Sequence, residues 1–248
     1  MRKRLHVLRR ERAQNNCYWE DFIYETKDEA ATVATALRSL QKENRVNADP
    51  SVPFRPVAWE HSCLQKRCGA CAMVINGAAR LACDTPLSSL PGETVTLEPL
   101  RKFPVVEDLL VDRSVMMQEL KELTVWLESE AGEGCEEMAF EASLCLQCGL
   151  CLEVCPNFAA GETFGGMAAM APLSRLIAQL SKEDRKRIAS AYERGVFSGC
   201  GKSLSCSGVC PAGIRTEEML VRSNAAAVWK RWRSLRGRKK NRKKEAER

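Results

Sequence analysis

Cys63-Leu64-Gln65-Lys66-Arg67-Cys68-Gly69-Ala70-Cys71 decides the first half of the chain, with Cys83 following after eleven more residues. The pattern Cys-x4-Cys-x2-Cys…Cys is the plant-type [2Fe–2S] spacing. Three thiolates on one short loop wrap one side of such a cluster, and the fourth returns on the next hairpin. Gly69 lets the backbone bend close to the sulfurs and aim N–H groups at them. Lys66 and Arg67 are expected to favour the more negative reduced form. Zinc knuckles instead use two short Cys-x2-Cys pairs.

The residues around this loop have the texture of a small sheet domain. Arg4 to Arg10 and Tyr18 to Glu25 alternate as two strands of a hairpin. From Asp28 to Glu43 the apolar positions Ala31, Ala34, Leu37 and Leu40 predict an amphipathic helix. Ala72 to Ile75 meets Asn76-Gly77, the strongest two-residue turn signal, before a return strand expected over Arg80 to Cys83. Thr94 to Leu97 supplies one more strand. Together these predict a β-grasp domain.

A second run, Cys145-Leu146-Gln147-Cys148-Gly149-Leu150-Cys151-Leu152-Glu153-Val154-Cys155-Pro156, is Cys-x2-Cys-x2-Cys-x3-Cys-Pro. That is the bacterial ferredoxin run, whose fourth cysteine in two-cluster proteins ligates the other cluster. Its partner is Cys200-x5-Cys206-x3-Cys210-Pro211, with Ser203 where the middle cysteine would stand. Crossing the ligands assigns Cys145, Cys148, Cys151 and Cys210 to a [4Fe–4S] cluster. Cys155, Cys200 and Cys206 remain for a [3Fe–4S] cluster, since serine oxygen is a much poorer iron ligand than thiolate. Three separate zinc knuckles would leave the repeated Cys-Pro endings unexplained.

Past Pro99 the strand signals stop and helices are expected. Val115 to Leu127 carries Met116, Leu120, Leu123 and Leu127 on one face. Ser181 resembles an N-cap for a helix from Arg185 to Arg194, with Gly195 as its stop. Thr216-Glu217-Glu218 opens a last helix presenting Met219, Leu220, Val228, Trp229 and Trp232. The predicted class is α+β: a β-grasp [2Fe–2S] ferredoxin domain over 1–104, an all-α ferredoxin-like domain over 105–232, and a basic tail over 233–248.

Composition bounds the rest. Of 13 cysteines, eleven fall in the three groups; Cys17 and Cys135 belong to none and are expected as buried or partly buried thiols. Met1 to Arg12 shows no apolar core region and no small-residue cleavage site, so a cytosolic, reducing compartment is expected. No stretch approaches the ~18 apolar residues of a membrane span. Residues 230–248 carry +9 against +6 for the whole, so the body carries −3. That tail suits either anionic lipid head groups or a solubilising end. A nucleic-acid partner is not expected, because no recognition fold accompanies the charge.

From about Leu5 to Trp232 the order and spacing resemble the iron–sulfur subunits of succinate dehydrogenases and fumarate reductases. The likeness includes Cys68-Gly69-Ala70-Cys71, Leu81-Ala82-Cys83 and the stretch from Phe103-Pro104-Val105-Val106 to Arg113. The resemblance implies an electron-transfer subunit without a dicarboxylate site of its own. Its partners would be an FAD-containing flavoprotein and a membrane-anchor cytochrome b, with a quinone as the far terminus. It would sit peripherally on the cytoplasmic face of the cell membrane. Ubiquinone-type members carry tryptophans shortly after the first Cys-Pro and a histidine after the first [3Fe–4S] cysteine. Here those stretches read Asn157-Phe158-Ala159-Ala160 and Gly201, which resembles menaquinone-type members. Two other readings fit the sequence: the iron–sulfur subunit of another flavoprotein oxidoreductase, such as a soluble thiol-coupled fumarate reductase, and a zinc-stabilised nucleic-acid-binding protein.

Overall fold

Alternation dictates the first strand: in β1 (Arg2–Arg10) Lys3, Leu5, Val7 and Arg9 all turn to one face and are buried. β2 (Cys17–Glu25) pairs with it antiparallel, setting Leu5 opposite Phe22 and Leu8 opposite Trp19. The computed structural model describes residues 1–11, 16–46, 53–128, 136–179 and 184–229. Ser181, Cys135 and the basic tail lie outside the described residues. The described residues fall into two units. The first is Met1–Ser114 with Leu146–Val154 and Val209–Pro211; the second is Val115–Cys145, Cys155–Gly208 and the described residues from Ala212.

In the first unit, β3 (Ala72–Ile75) and β4 (Ala78–Leu81) close on Asn76-Gly77, at φ +48° and +76°. Positive φ at both central residues is the twist-matched hairpin turn. β5 (Thr94–Glu98) runs parallel to β1 and antiparallel to β3, giving the order β2-β1-β5-β3-β4. Leu5, Val7, Phe22, Ile75 and Leu97 are fully buried, each stabilising the fold by roughly 1.5–3 kcal/mol. This is the β-grasp.

The helix of this unit is shorter than the periodicity from Asp28 to Glu43 suggests. α1 covers Val33–Ser39. Thr32 and Thr35 form a capping box that fixes its start, and Leu40 turns to extended backbone at φ −67°, ψ 127°. The return strand also ends at Leu81, and a 3-10 turn over Ala82–Asp84 presents Cys83. Cys17, expected at least partly buried, is exposed at the first position of the edge strand β2.

Strands do not stop at Pro99. β6 (Val105–Glu107) and β7 (Leu110–Val111) form a small hairpin whose turn holds Asp108 at φ +46°. Asp108 is wholly buried. Its Oδ1 accepts from the Arg10 N–H at 2.9 Å and its Oδ2 from the Ala58 N–H at 2.9 Å. The buried Arg9 guanidinium lies 3.1 Å from the same carboxylate and donates to Glu20 at 2.6 Å. Charges this deep are tolerable because each is paired and hydrogen-bonded.

The second unit contains α2 (Ser114–Glu122) from Val115 on, α3 (Glu136–Ser143), α5 (Gly166–Ala178), α6 (Arg185–Tyr192) and α7 (Thr216–Asn224). The short α4 (Leu150–Glu153) belongs to the first. Gly195 does not stop α6, which continues through a π-turn over Glu193–Phe197. A Cβ at Gly195 would come within 2.5 Å of the Leu123 side chain, so the glycine serves packing. Buried polar pairs join the helices: Ser174 with Ser223 at 2.8 Å, and the Tyr192 hydroxyl donating to Asn224 Oδ1 at 2.8 Å.

α2 ends at Glu122, and its buried face is Met116, Glu119 and, one residue past the helix, Leu123. Glu119 is 7% exposed, and its Oε1 has no hydrogen-bond partner among the described residues. Burial, reinforced by the nearby Glu122 charge, pushes its carboxyl up to about 7. The folded state therefore holds a proton that the unfolded state releases between the ordinary value of 4.5 and 7. Stability falls as pH rises through that window and levels off above it, by about 3 kcal/mol in all. Glu119→Gln should raise the melting temperature at pH 8 and change it little at pH 5. An equal effect at both pH values would show that the side chain's charge is not responsible.

Candidate functional site

The four cysteines of the first motif converge. Cys63 lies within electrostatic reach of Cys68, and Cys71 within reach of both Cys83 and Cys68. Each sulfur also accepts a backbone N–H. Cys63 takes those of Gln65 (3.4 Å) and Arg67 (3.3 Å). Cys83 takes Lys66 (3.3 Å), Cys68 takes Ala70 (3.5 Å) and Cys71 takes Cys83 (3.5 Å). Leu64, Lys66 and Gly69 stand at φ +56°, +59° and +75°, which turns these amides inward as a nest for negative charge.

The electrostatics follow from position. The Gln65 and Arg67 amides, then the Cys68 side chain, pull the Cys63 thiol down to about 7. Burial pushes the Cys71 thiol up to about 12 against the Cys83 backbone N–H, which lowers it, while the Cys83 side chain adds to the rise. The Lys66 ammonium does not serve the sulfurs as expected, because it is paired with Asp84 at 2.8 Å. Its backbone N–H does the work instead. Arg113 braces the loop from outside, donating to the Ala70 carbonyl at 2.8 Å while paired with Glu60 at 2.9 Å.

The second motif meets the first inside the same unit. A Cβ on Gly69 would fall 2.6 Å from Cys148 Cβ and 3.0 Å from its Cα. Gly69 is thus the point where the first cysteine loop touches the Cys145–Cys155 run, a role beyond the turn expected of it. Gly149, at φ +84°, packs against the Phe103 ring, and Glu153 accepts from the Lys102 N–H at 3.1 Å. Cys148, Cys151 and Cys210 belong to the first unit, and Cys145 to the second.

In the second unit, Cys206 feels the charges of Cys155 and Cys200. The Cys200 run repeats the backbone of the Cys145 run. Gln147 (φ +51°) and Gly149 (φ +84°) flank Cys148, and Lys202 (φ +58°) and Leu204 (φ +56°) flank Ser203. Ser203 therefore occupies the backbone setting of a cluster cysteine. The two departures from the ubiquinone-type pattern pack together: Asn157 donates to the Gly199 carbonyl at 2.7 Å, and a Cβ on Gly201 would meet its amide at 3.1 Å. Among the described residues no group of three or more His, Cys, Asp or Glu side chains is placed to hold a single metal ion.

Sulfur donors with inward amides suit iron–sulfur clusters, and the β-grasp followed by helices suits two cluster domains in tandem. Residues 4–118 match the family model of the 2Fe-2S iron-sulfur cluster binding domain, and residues 141–214 that of the 4Fe-4S dicluster domain. The class is therefore an electron-transfer protein with two ferredoxin-type domains.

Relatives narrow it. The chain is 31% identical to the succinate dehydrogenase iron–sulfur subunit of Bacillus subtilis, over 85% of this chain and 87% of that one. It is 35% identical to the fumarate reductase iron–sulfur subunit of Mycobacterium tuberculosis, over 67% and 70%. A chain of the Mycobacterium smegmatis Sdh1 complex in its apo form shares the fold at TM-score 0.68 and 24% identity, covering 90% of this chain and 96% of that one. The chain belongs to the family of succinate dehydrogenase and fumarate reductase iron–sulfur subunits.

Proposed function

We propose that this chain relays electrons between the FAD of a flavoprotein subunit and a quinone, of the menaquinone type, in a membrane-anchor cytochrome b. Cys63, Cys68, Cys71 and Cys83 hold a [2Fe–2S] cluster on the flavoprotein side. Cys145, Cys148, Cys151 and Cys210 hold a [4Fe–4S] cluster, and Cys155, Cys200 and Cys206 a [3Fe–4S] cluster nearest the quinone. The observation that carries the relay is the contact at Gly69, which sets the first cysteine loop directly against Cys148. Electron tunnelling needs closely spaced centres, and the clusters supply the redox chemistry while the protein supplies spacing and hydrogen bonds.

Dicarboxylate chemistry belongs to the flavoprotein in this reading, and the chain acts as a non-catalytic subunit. Among the described residues no helix is long and apolar enough to cross a membrane. The subunit is held at the cytoplasmic face of the membrane through its partners. The Asn157–Gly201 packing supports the menaquinone assignment, because neither position offers an indole or imidazole to a quinone.

The test is low-temperature EPR on membranes containing the complex, before and after succinate. About nine irons per chain in three centres are expected, with an oxidised [3Fe–4S] signal that succinate removes. Three clusters untouched by succinate would mean a different flavoprotein partner.

A further inference from the structure

Thr216 opens α7 and is 1% exposed, an unusual place for a hydroxyl without a demanding partner. Its Oγ1 lies 3.8 Å from Cys206 Sγ, within hydrogen-bonding range for sulfur. The alternative acceptor is weak: Glu217 Oε2 is 3.5 Å from the hydroxyl and already takes the Ser207 hydroxyl at 2.7 Å. The start of α7 cannot easily swing away. Arg215 donates its backbone N–H to Glu141 of α3 at 2.8 Å, and its guanidinium pairs with Glu141 at 3.1 Å and Glu218 at 2.6 Å.

We propose that Thr216 sets the potential of the third cluster by donating its buried hydroxyl to the Cys206 thiolate. The inference rests on the reading that Cys155, Cys200 and Cys206 hold that cluster. As a thiol, Cys206 donates to Thr216. As an iron-bound thiolate it has no proton to give, so the hydroxyl must be the donor. Charge-assisted bonds of this kind are about twice as strong as neutral ones. One-electron reduction adds negative charge to the cluster and its sulfurs, which strengthens the bond and raises the potential. Nothing in the cysteine spacing carries this residue, since it lies ten positions past Cys206 and outside every Cys run.

The experiment is an EPR redox titration of membranes carrying the complex, with dithionite as reductant, comparing wild type with Thr216→Val and Thr216→Ser. At fixed ambient potential, the valine variant should raise the oxidised-to-reduced ratio of the [3Fe–4S] centre roughly tenfold, a downward shift of about 59 mV for one electron. The other two centres should titrate as in wild type, and serine should restore the wild-type value. An unshifted valine variant, or a shift shared by all three centres, overturns the proposal. If valine prevents cluster loading, Thr216→Ala against Thr216→Ser makes the same comparison, and equal potentials there sink it. Absence of a [3Fe–4S] signal from wild type would instead refute the ligand assignment beneath it.

Discussion

Gly69→Ala should strip the chain of its first cluster and disturb the second, reducing iron and acid-labile sulfide together. Two costs fall on the one methyl. At φ +75° a residue with a Cβ is strained, by roughly 1–3 kcal/mol. The methyl also lands 2.6 Å from Cys148 Cβ, an atom fixed by its own backbone that cannot rotate aside. Overpacking of this kind costs about 1–3 kcal/mol more. Relief requires the two loops to part, which moves both Cys68 and Cys148 off their positions. Gly77→Ala is the control. It has the same positive φ, +76°, but none of the described residues lies within 4 Å of its Cβ site, so only the same strain of roughly 1–3 kcal/mol remains. Gly77→Ala should therefore load normally. Equal iron content in the two variants would mean that backbone strain, and not the Cys148 contact, governs the loop.

That contrast marks what the sequence could reveal. The Asn76-Gly77 turn is legible because a local rule demands it: two positive φ values in a two-residue hairpin. The three cysteine groups are legible because cluster geometry writes itself into short spacings. The contact between Gly69 and Cys148 joins residues 79 positions apart and has no local signature. Leu64, Lys66, Lys202 and Leu204 take positive φ without being glycine or asparagine. In the Cys63 loop the strain at Leu64 and Lys66 is accepted because the inward amides serve the sulfurs, and propensity alone predicts the opposite. Lys66 looked like a positive charge for the cluster, but Asp84 claims it.

Helix ends escape the apolar pattern for a related reason. Periodicity reports which faces are apolar, while caps and single backbone turns decide where a helix ends. Leu40 is buried, so it continues the apolar pattern of α1 although its backbone has already left the helix. In α2 the pattern gave weight to Leu120, yet Glu119 occupies the buried face. A buried carboxyl is invisible to a hydrophobicity pattern and shows only in the tertiary structure. Gly195 shows the same limit: it reads as a helix stop, and packing against Leu123 is what requires it.

Ser203→Cys should abolish the oxidised [3Fe–4S] EPR signal and add about one iron per chain. The residue completes Cys200-x2-x-x2-Cys206-x3-Cys210-Pro211 as a full ferredoxin run. The backbone is already shaped for it, with Lys202 and Leu204 at positive φ on either side, as Gln147 and Gly149 flank Cys148. Ser203 is exposed and its hydroxyl accepts from the Ser205 hydroxyl at 3.3 Å, so a thiol is accommodated at little cost in packing. A fourth iron held by a fourth thiolate places more negative charge on the centre, making it harder to reduce. Electrons from succinate should then fail to reach the third cluster, and quinone reduction should fall at least tenfold while succinate oxidation with an artificial acceptor persists. Ser203→Ala separates the remaining possibility that serine oxygen binds a fourth iron. If it does not, alanine leaves the signal and the turnover as they are. A full [3Fe–4S] signal in the cysteine variant would mean that position 203 does not face the cluster, and the alignment of the two runs would have to be abandoned.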